Sequence, residues 1–100
     1  MSVFAVTREA GPGWSKGGIA DQSGIREHSA FMNGLAEAGF VLLAGPLAGT
    51  EAGRLRVLLI VDAVEEAEIV ARLADDPWGA SDHLRVVSIE PWSILVGAPA

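Results

Sequence analysis

Residues 26–47 read Arg-Glu-His-Ser-Ala-Phe-Met-Asn-Gly-Leu-Ala-Glu-Ala-Gly-Phe-Val-Leu-Leu-Ala-Gly-Pro-Leu. This pattern predicts a helix that stops at Gly39, followed by a strand over residues 40–44 that is buried on both faces. Five positions share one helix face because they lie at three- and four-residue spacings: Ile25, His28, Phe31, Met32 and Leu35. A single titratable ring therefore interrupts an inward-facing apolar stripe, which points to a functional site.

Three further strands and a second helix flank this segment. The strands are predicted at residues 3–7, 54–61 and 84–90, and the helix from an Asp62 cap to Ala74. The order strand, helix, strand, strand, helix, strand predicts an α+β domain. Both helices are then expected on one face of an antiparallel sheet.

Capping and turn residues predict where these elements begin and end, and the apolar pattern predicts which helix face is buried. Asp21 or Ser23 is expected to cap the first helix, and Gly45-Pro46 is expected to end the pairing of the second strand. Residues 8–23 are expected to form a long loop, residues 48–53 a hairpin turn, and residues 93–100 a tail without regular structure. The inner face of the second helix is predicted to comprise Ala67, Val70, Ala71 and Ala74, with Leu73 beside them.

Composition narrows the class of protein. One hundred residues suit a single domain, residues 1–100, and the net charge of −6 argues against a nucleic-acid partner. No apolar run approaches the length of a membrane span, and the first residues do not resemble a signal peptide, so a cytoplasmic location is expected. Half of the residues are apolar, which predicts an apolar surface that a partner covers.

Chain direction brings the unusual residues to one end of the predicted fold. That end collects the long loop, the start of the first helix, Gly45-Pro46, and Asp75-Asp76 at the end of the second helix. A carboxylate beside the imidazole of His28 would fix its tautomer, and such a pair can move a proton. Because both helices cover one sheet face, two copies of the chain are expected to pack their open faces together as a homodimer.

Several residues allow more than one interpretation. Trp14 is either a packing anchor for its loop or one wall of a pocket for a flat ligand. His83 is expected to be exposed at the start of a strand. His28, Asp76 and His83 could in principle hold a metal ion, but they lack local ligand spacing, so no metal and no cofactor is expected.

Four segments together resemble the YCII-related (YciI-like) family: residues 26–32, 39–47, 74–78 and 89–92. The resemblance implies a ferredoxin-like βαββαβ fold that pairs into a dimeric α+β barrel. It also implies that His28 and Asp76 correspond to the residues proposed as that family's active-site pair. The segment Gly11-Pro12-Gly13-Trp14 is similar to a subfamily with a long first loop. Where the family often has Glu-Asp-Pro-Phe, this chain has Asp75-Asp76-Pro77-Trp78, so either acid could face the histidine.

The leading hypothesis is a small cofactor-free enzyme, an isomerase or lyase acting on a ring-shaped or enolisable acid. His28 would be the general acid and base, and Asp76 would orient it. Four residues would shape the binding pocket for the small-molecule ligand: Trp14, Phe31, Gly45 and Pro46. The alternative is a non-catalytic dimeric module that binds a small molecule or serves as an accessory subunit.

Overall fold

The computed structural model describes residues 2–50 and 54–97 as one sheet covered by helices. The strands are β1 Ser2–Ala10, β2 Val41–Pro46, β3 Arg56–Ala63 and β4 Leu84–Pro91. The helices are α1 Ile25–Glu37, α2 Glu66–Ala74 and a short α3 Pro77–Ala80, and a 3-10 turn spans Ile19–Asp21. The strands pair antiparallel in the order β2-β3-β1-β4, which is the ferredoxin-like arrangement. The predicted α+β class is confirmed.

Alternation along β1 and β3 builds one apolar core between the sheet and the helices. Phe4 and Val6 of β1 lie beside Leu59 and Val61 of β3, because every second side chain of a strand faces the same way. The remaining buried members of this core are Leu35, Phe40, Val41, Ala63, Ile69 and Leu73. Arg8 follows Phe4 and Val6 on the same face, so a charged side chain enters this interior.

The opposite face of the sheet carries apolar residues that no helix covers. Leu43 pairs with Ile60, and Ile60 pairs with Ala5, so these three side chains share that face. A shallow groove on it is lined by Ala5, Leu58, Ile60, Glu90, Pro91 and Trp92. Leu43 is 67% exposed in the single chain, which makes β2 less buried than the sequence predicts.

The predicted end of β2 is wrong. Pro46 remains in the ladder opposite Val57, and Gly45 lies opposite Leu58. The strand order explains this, because β2 is at the edge of the sheet and has one free side. A proline that lacks a donor is tolerated where no neighbouring strand needs that hydrogen bond.

The region between β1 and α1 is also organised differently. β1 continues to Ala10, so Arg8 belongs to a strand and the connecting loop starts at Gly11. Gly24 occupies the N-cap of α1 with φ of 77°, and neither Asp21 nor Ser23 caps it. The Asp21 carboxylate instead accepts the Gly18 N–H at 2.9 Å, within the 3-10 turn.

The inner face of α2 differs from the predicted one. Ile69 and Leu73 are buried four residues apart, whereas Val70 is 53% exposed and the three alanines of the predicted stripe face outward. Burial of the two largest side chains gains more free energy than burial of alanines, and this sets the rotation of the helix. Asp62 lies in β3, and the carboxylate of Glu68 accepts the Val64 N–H at 3.0 Å where the Asp62 cap was expected.

The remaining segments are short. Residues 51–53 of the predicted hairpin turn and residues 98–100 of the predicted tail lie outside the described residues. Residues 93–97 have no regular secondary structure, as predicted. In the described part of the chain, no helix has the length and apolarity needed to cross a membrane.

Candidate active site

His28 and Asp76 meet at the end of the fold where the sequence places them. His28 lies in the first turn of α1, and its Nδ1 is 2.9 Å from both carboxylate oxygens of Asp76. The two residues are 48 positions apart in the chain, so only the packing of α1 against α3 brings them together. Asp75, the other candidate acid, is exposed at the end of α2.

The local sequence Asp-Pro-Trp positions the carboxylate. Asp76 is the N-cap of α3, and its side chain accepts the backbone N–H of Trp78 at 3.0 Å. Pro77 occupies the first helical position, where a missing N–H costs nothing and the fixed φ favours a helix start. Asp76 therefore caps the start of a third helix, whereas the sequence predicts it at the end of the second helix.

Arg8 supplies a second charged partner to the same carboxylate. Its Nη1 donates to Oδ2 of Asp76 at 2.7 Å, and the two side chains are 2% and 0% exposed. Burial raises the pKa of Asp76, but the hydrogen bonds from His28, Arg8 and the Trp78 N–H outweigh it. Together they hold the pKa below its ordinary value of 3.8. Asp76 is consequently a buried carboxylate that stays ionised at neutral pH.

This arrangement sets the chemistry of the imidazole. An ionised carboxylate accepts a hydrogen bond, so Nδ1 of His28 carries the proton in the bond to Asp76. The other nitrogen, Nε2, is then the proton acceptor of the neutral ring. The His28 side chain is 15% exposed, which leaves the ring accessible from the cavity that it lines.

Aromatic packing fixes the plane of the imidazole. The His28 ring stacks on Trp78 with a centroid distance of 4.0 Å and an interplanar angle of 11°. Trp78 is buried, and its Nε1 donates to the Ser23 carbonyl at 2.8 Å, next to the start of α1. The same residue thus holds both the histidine ring and the helix that carries it.

His83 and Trp14 belong to this aromatic cluster. His83 is buried, contrary to the prediction that it is exposed, and its ring lies 5.4 Å from Trp78 at 13°. Its Nδ1 is 2.6 Å from Ser81 Oγ. Trp14 packs edge-on against Trp78 at 5.4 Å, so it behaves as the packing anchor of its loop.

A cavity of about 240 Å³ lies against the His28 ring. Its walls come from α1, the inner face of the sheet and the 3-10 turn, and they are mostly apolar. The lining residues are Arg8, Ile19, Ile25, His28, Ser29, Met32, Asn33, Ala44, Gly45, Pro46, Leu55, Val57, Leu59, Trp78 and Leu84. Of the four predicted binding residues, Gly45 and Pro46 line it. Trp14 lies outside the lining, and so does Phe31, which packs against the apolar core.

Two residues of the site were missed from the sequence. Arg8 falls in the predicted loop, although its spacing of two and four residues from Val6 and Phe4 places it on the buried face of β1. Trp78 follows Asp-Pro, where its N–H is the natural partner of a capping aspartate. Both signals were present in the sequence, but neither indicates which distant side chain is contacted.

The described residues do not bring three or more His, Cys, Asp or Glu side chains together as a metal site. His28 and His83 each stack on Trp78, and Nδ1 of His83 lies beside Ser81 Oγ rather than beside Asp76.

Comparison with known proteins identifies the family. The chain is similar to the solved structure of 5-chloro-2-hydroxyhydroquinone dehydrochlorinase (TftG) from Burkholderia phenoliruptrix AC1100, in complex with 2,5-dihydroxybenzoquinone. The identity is 20% and the TM-score 0.61, over 91% of this chain and 93% of that chain, so the two share a fold. No curated protein matches the sequence. The family model of the YCII-related domain matches residues 5–93, and the chain therefore belongs to the YCII-related domain family.

Proposed function

We propose that this protein is a small enzyme that transfers a proton on a ring-shaped or enolisable substrate, as an isomerase or a lyase. The observation that carries the proposal is the hydrogen bond between Nδ1 of His28 and the buried carboxylate of Asp76, at the wall of an apolar cavity. The dehydrochlorinase with which the chain shares its fold is named for lyase chemistry on a hydroxylated ring, which supports the same reaction class here.

The proposed step uses residues of this chain alone. Nε2 of His28 takes a proton from a substrate carbon, and the electron pair of the broken C–H bond moves into an adjacent carbonyl to give an enolate. In an isomerase the imidazolium returns the proton to another carbon. In a lyase the enolate re-forms the carbonyl and expels a leaving group from the neighbouring carbon, and the departing group takes up the imidazolium proton. Asp76 stabilises the imidazolium in either case, because it accepts the Nδ1–H bond throughout.

Hydrogen exchange tests this proposal without knowledge of the natural substrate. A panel of cyclic ketones and hydroxylated rings is incubated with the protein in D₂O, and mass spectrometry measures deuterium at carbon. We expect at least one compound to exchange about 10²-fold faster with the wild-type protein than with His28→Gln. His83→Gln is the matched control, because that histidine contacts the same indole but does not line the cavity. Equal exchange by wild type and His28→Gln would refute the proposal.

The alternative function is a non-catalytic module that binds a small molecule. The carboxylate of Asp76 accepts hydrogen bonds from Arg8 and from the Trp78 N–H as well as from His28. The first two would stabilise the fold even without chemistry, which favours this alternative. Ligand binding without exchange, in both the wild type and His28→Gln, would support this alternative.

We also propose that two copies pair through the open face of the sheet. Leu43 and Trp92 are exposed there, by 67% and 47%, and sheet-on-sheet packing buries apolar surface of this kind. Light scattering at micromolar concentration should give twice the chain mass of 10.4 kDa. Leu43→Lys should then yield the monomer, whereas Val70→Lys on the outer side of α2 should not. A monomeric wild type would contradict the dimer.

A further inference from the structure

The guanidinium of Arg8 has more donors than partners. It carries five N–H donors, and within the described residues its hydrogen-bond partner is Asp76, through Nη1. Nε is buried and makes no hydrogen bond to any described residue. A structural ion pair normally satisfies its remaining donors, because an unsatisfied buried donor is costly. The incomplete pairing of Arg8 is therefore not what a purely structural ion pair would require, and it leaves N–H donors for a further partner.

The position of that charge matters because Arg8 lines the same cavity as His28. A His-Asp pair alone has a net charge of −1 when the ring is neutral, and it would repel an anion. Arg8 cancels the charge of Asp76, so the three side chains sum to zero before proton transfer and to +1 after it. This difference matters more where the cavity wall excludes water, since Coulomb interactions strengthen as the effective dielectric constant falls.

The rest of the wall supplies no opposing charge. Among the residues that line the cavity in the described chain, none is an aspartate or a glutamate. The protein as a whole carries a net charge of −6, so attraction for an anion at this site has to be local. Ser29 and Asn33 add neutral polar groups one helical turn apart, and the other walls are apolar.

We propose that Arg8 sets the charge of the site, so that the cavity selects small planar organic anions whose acidic oxygen is a carboxylate or an ionised enol. This inference rests on the proposed function, in that it concerns the same cavity. Arg8 is a binding residue in this proposal, because it lines the cavity and its bond to Asp76 through Nη1 leaves other N–H donors for the anionic oxygen. In the reaction it stabilises the enolate that forms when His28 takes the proton.

The test compares benzoate with benzamide, which are close in size and shape, whereas only benzoate carries a negative charge. Isothermal titration of the wild type should show that benzoate binds about tenfold or more tightly, the effect of one charge-assisted interaction. Arg8→Gln should abolish this preference and Arg8→Lys should retain most of it. Asp76→Asn should increase it, because the positive charge is no longer cancelled. Circular dichroism confirms that each variant is folded at the temperature of measurement.

The opposite outcomes overturn the proposal. The proposal is overturned if the wild type binds the two probes with equal affinity or binds neither of them. It is also overturned if Arg8→Gln keeps the preference for benzoate unchanged. If Arg8→Gln does not fold, the benzoate preference of Arg8→Lys and Asp76→Asn decides the question. A purely structural role of Arg8 predicts that each of these two variants binds both probes more weakly, without a change in the preference. A charge preference without deuterium exchange would refute the enzymatic function and leave this inference standing, whereas exchange without a charge preference would refute this inference alone.

Discussion

Replacement of Asp76 by asparagine tests the core of the site directly. The side chain is fully buried and accepts hydrogen bonds from Arg8, His28 and the Trp78 N–H. Asparagine caps a helix about as well as aspartate, so the bond to Trp78 should survive. The principal cost is the buried guanidinium, which loses its counter-ion, and breaking such a pair from one side costs about 3–5 kcal/mol.

The expected size of this effect is well within reach of standard measurements. For a chain of 100 residues, 1 kcal/mol corresponds to roughly 4–8 °C in Tm, so a loss of about 3 kcal/mol lowers Tm by roughly 12 °C or more. Urea denaturation followed by circular dichroism at pH 7 gives the free energy of unfolding. Asp75→Asn is the matched control, because that neighbouring acid is exposed and its substitution should stay within about 0.5 kcal/mol.

The pH dependence gives a second check on the same variant. The pKa of Asp76 is held below 3.8 in the folded protein, so its stabilising contribution is complete above that value and is lost as the pH falls through the lower, folded pKa. The difference in unfolding free energy between wild type and Asp76→Asn should therefore not decrease between pH 7 and about pH 5, and it should shrink below about pH 3.8. Equal stability of Asp75→Asn and Asp76→Asn, or a difference that shrinks already between pH 5 and 7, would refute this reasoning.

Two further predictions concern the fold, and both use paired substitutions measured by urea denaturation. Ile69→Ala should cost about 2–5 kcal/mol because the side chain is fully buried, whereas Val70→Ala on the exposed side should cost under about 1 kcal/mol; equal costs would contradict the observed rotation of α2. Gly13→Ala should destabilise the protein, because the added Cβ would lie 2.1 Å from the Ser81 carbonyl oxygen. Gly34→Ala in α1 should stabilise the protein by about 0.5–1 kcal/mol, because the added Cβ meets no atom of another segment within 4 Å. A harmless Gly13→Ala would show that the loop can move away from residue 81.

Hydrophobic periodicity and chain direction were sufficient for the order of the strands and the two longer helices, and for the expectation that an acid of the Asp75-Asp76 pair lies near His28. They did not decide between the two acids, and they missed the short α3 that Asp76 caps. Arg8 shows where such reasoning fails. A charged residue after an apolar run resembles the start of a loop, since arginine is rarely buried without a partner. Its partner Asp76 lies 68 residues further along the chain, and only the three-dimensional structure shows that the two meet.

The error in α2 has a different origin. A cap followed by glutamate three residues later is a common helix-start pattern, and Asp62 with Glu65 matches it. Asp62 is instead needed in β3, where it pairs with Val3 of β1, so the sheet prevails over the local signal. The helix then begins at Glu66 and buries Ile69 and Leu73, the pair of large side chains four residues apart.

Trp78 explains why the fold and the site cannot be separated in this protein. Its backbone N–H bonds the carboxylate of Asp76, its indole N–H bonds the carbonyl of Ser23, and its ring lies flat against His28. These contacts tie α3 to the start of α1, and they also restrict the rotation of the imidazole. A ring held both by stacking and by the Nδ1 hydrogen bond has its Nε2 direction fixed before any ligand binds, which lowers the entropic cost of a productive encounter. The conformational order of the site is thus produced by the same contacts that fold this end of the molecule.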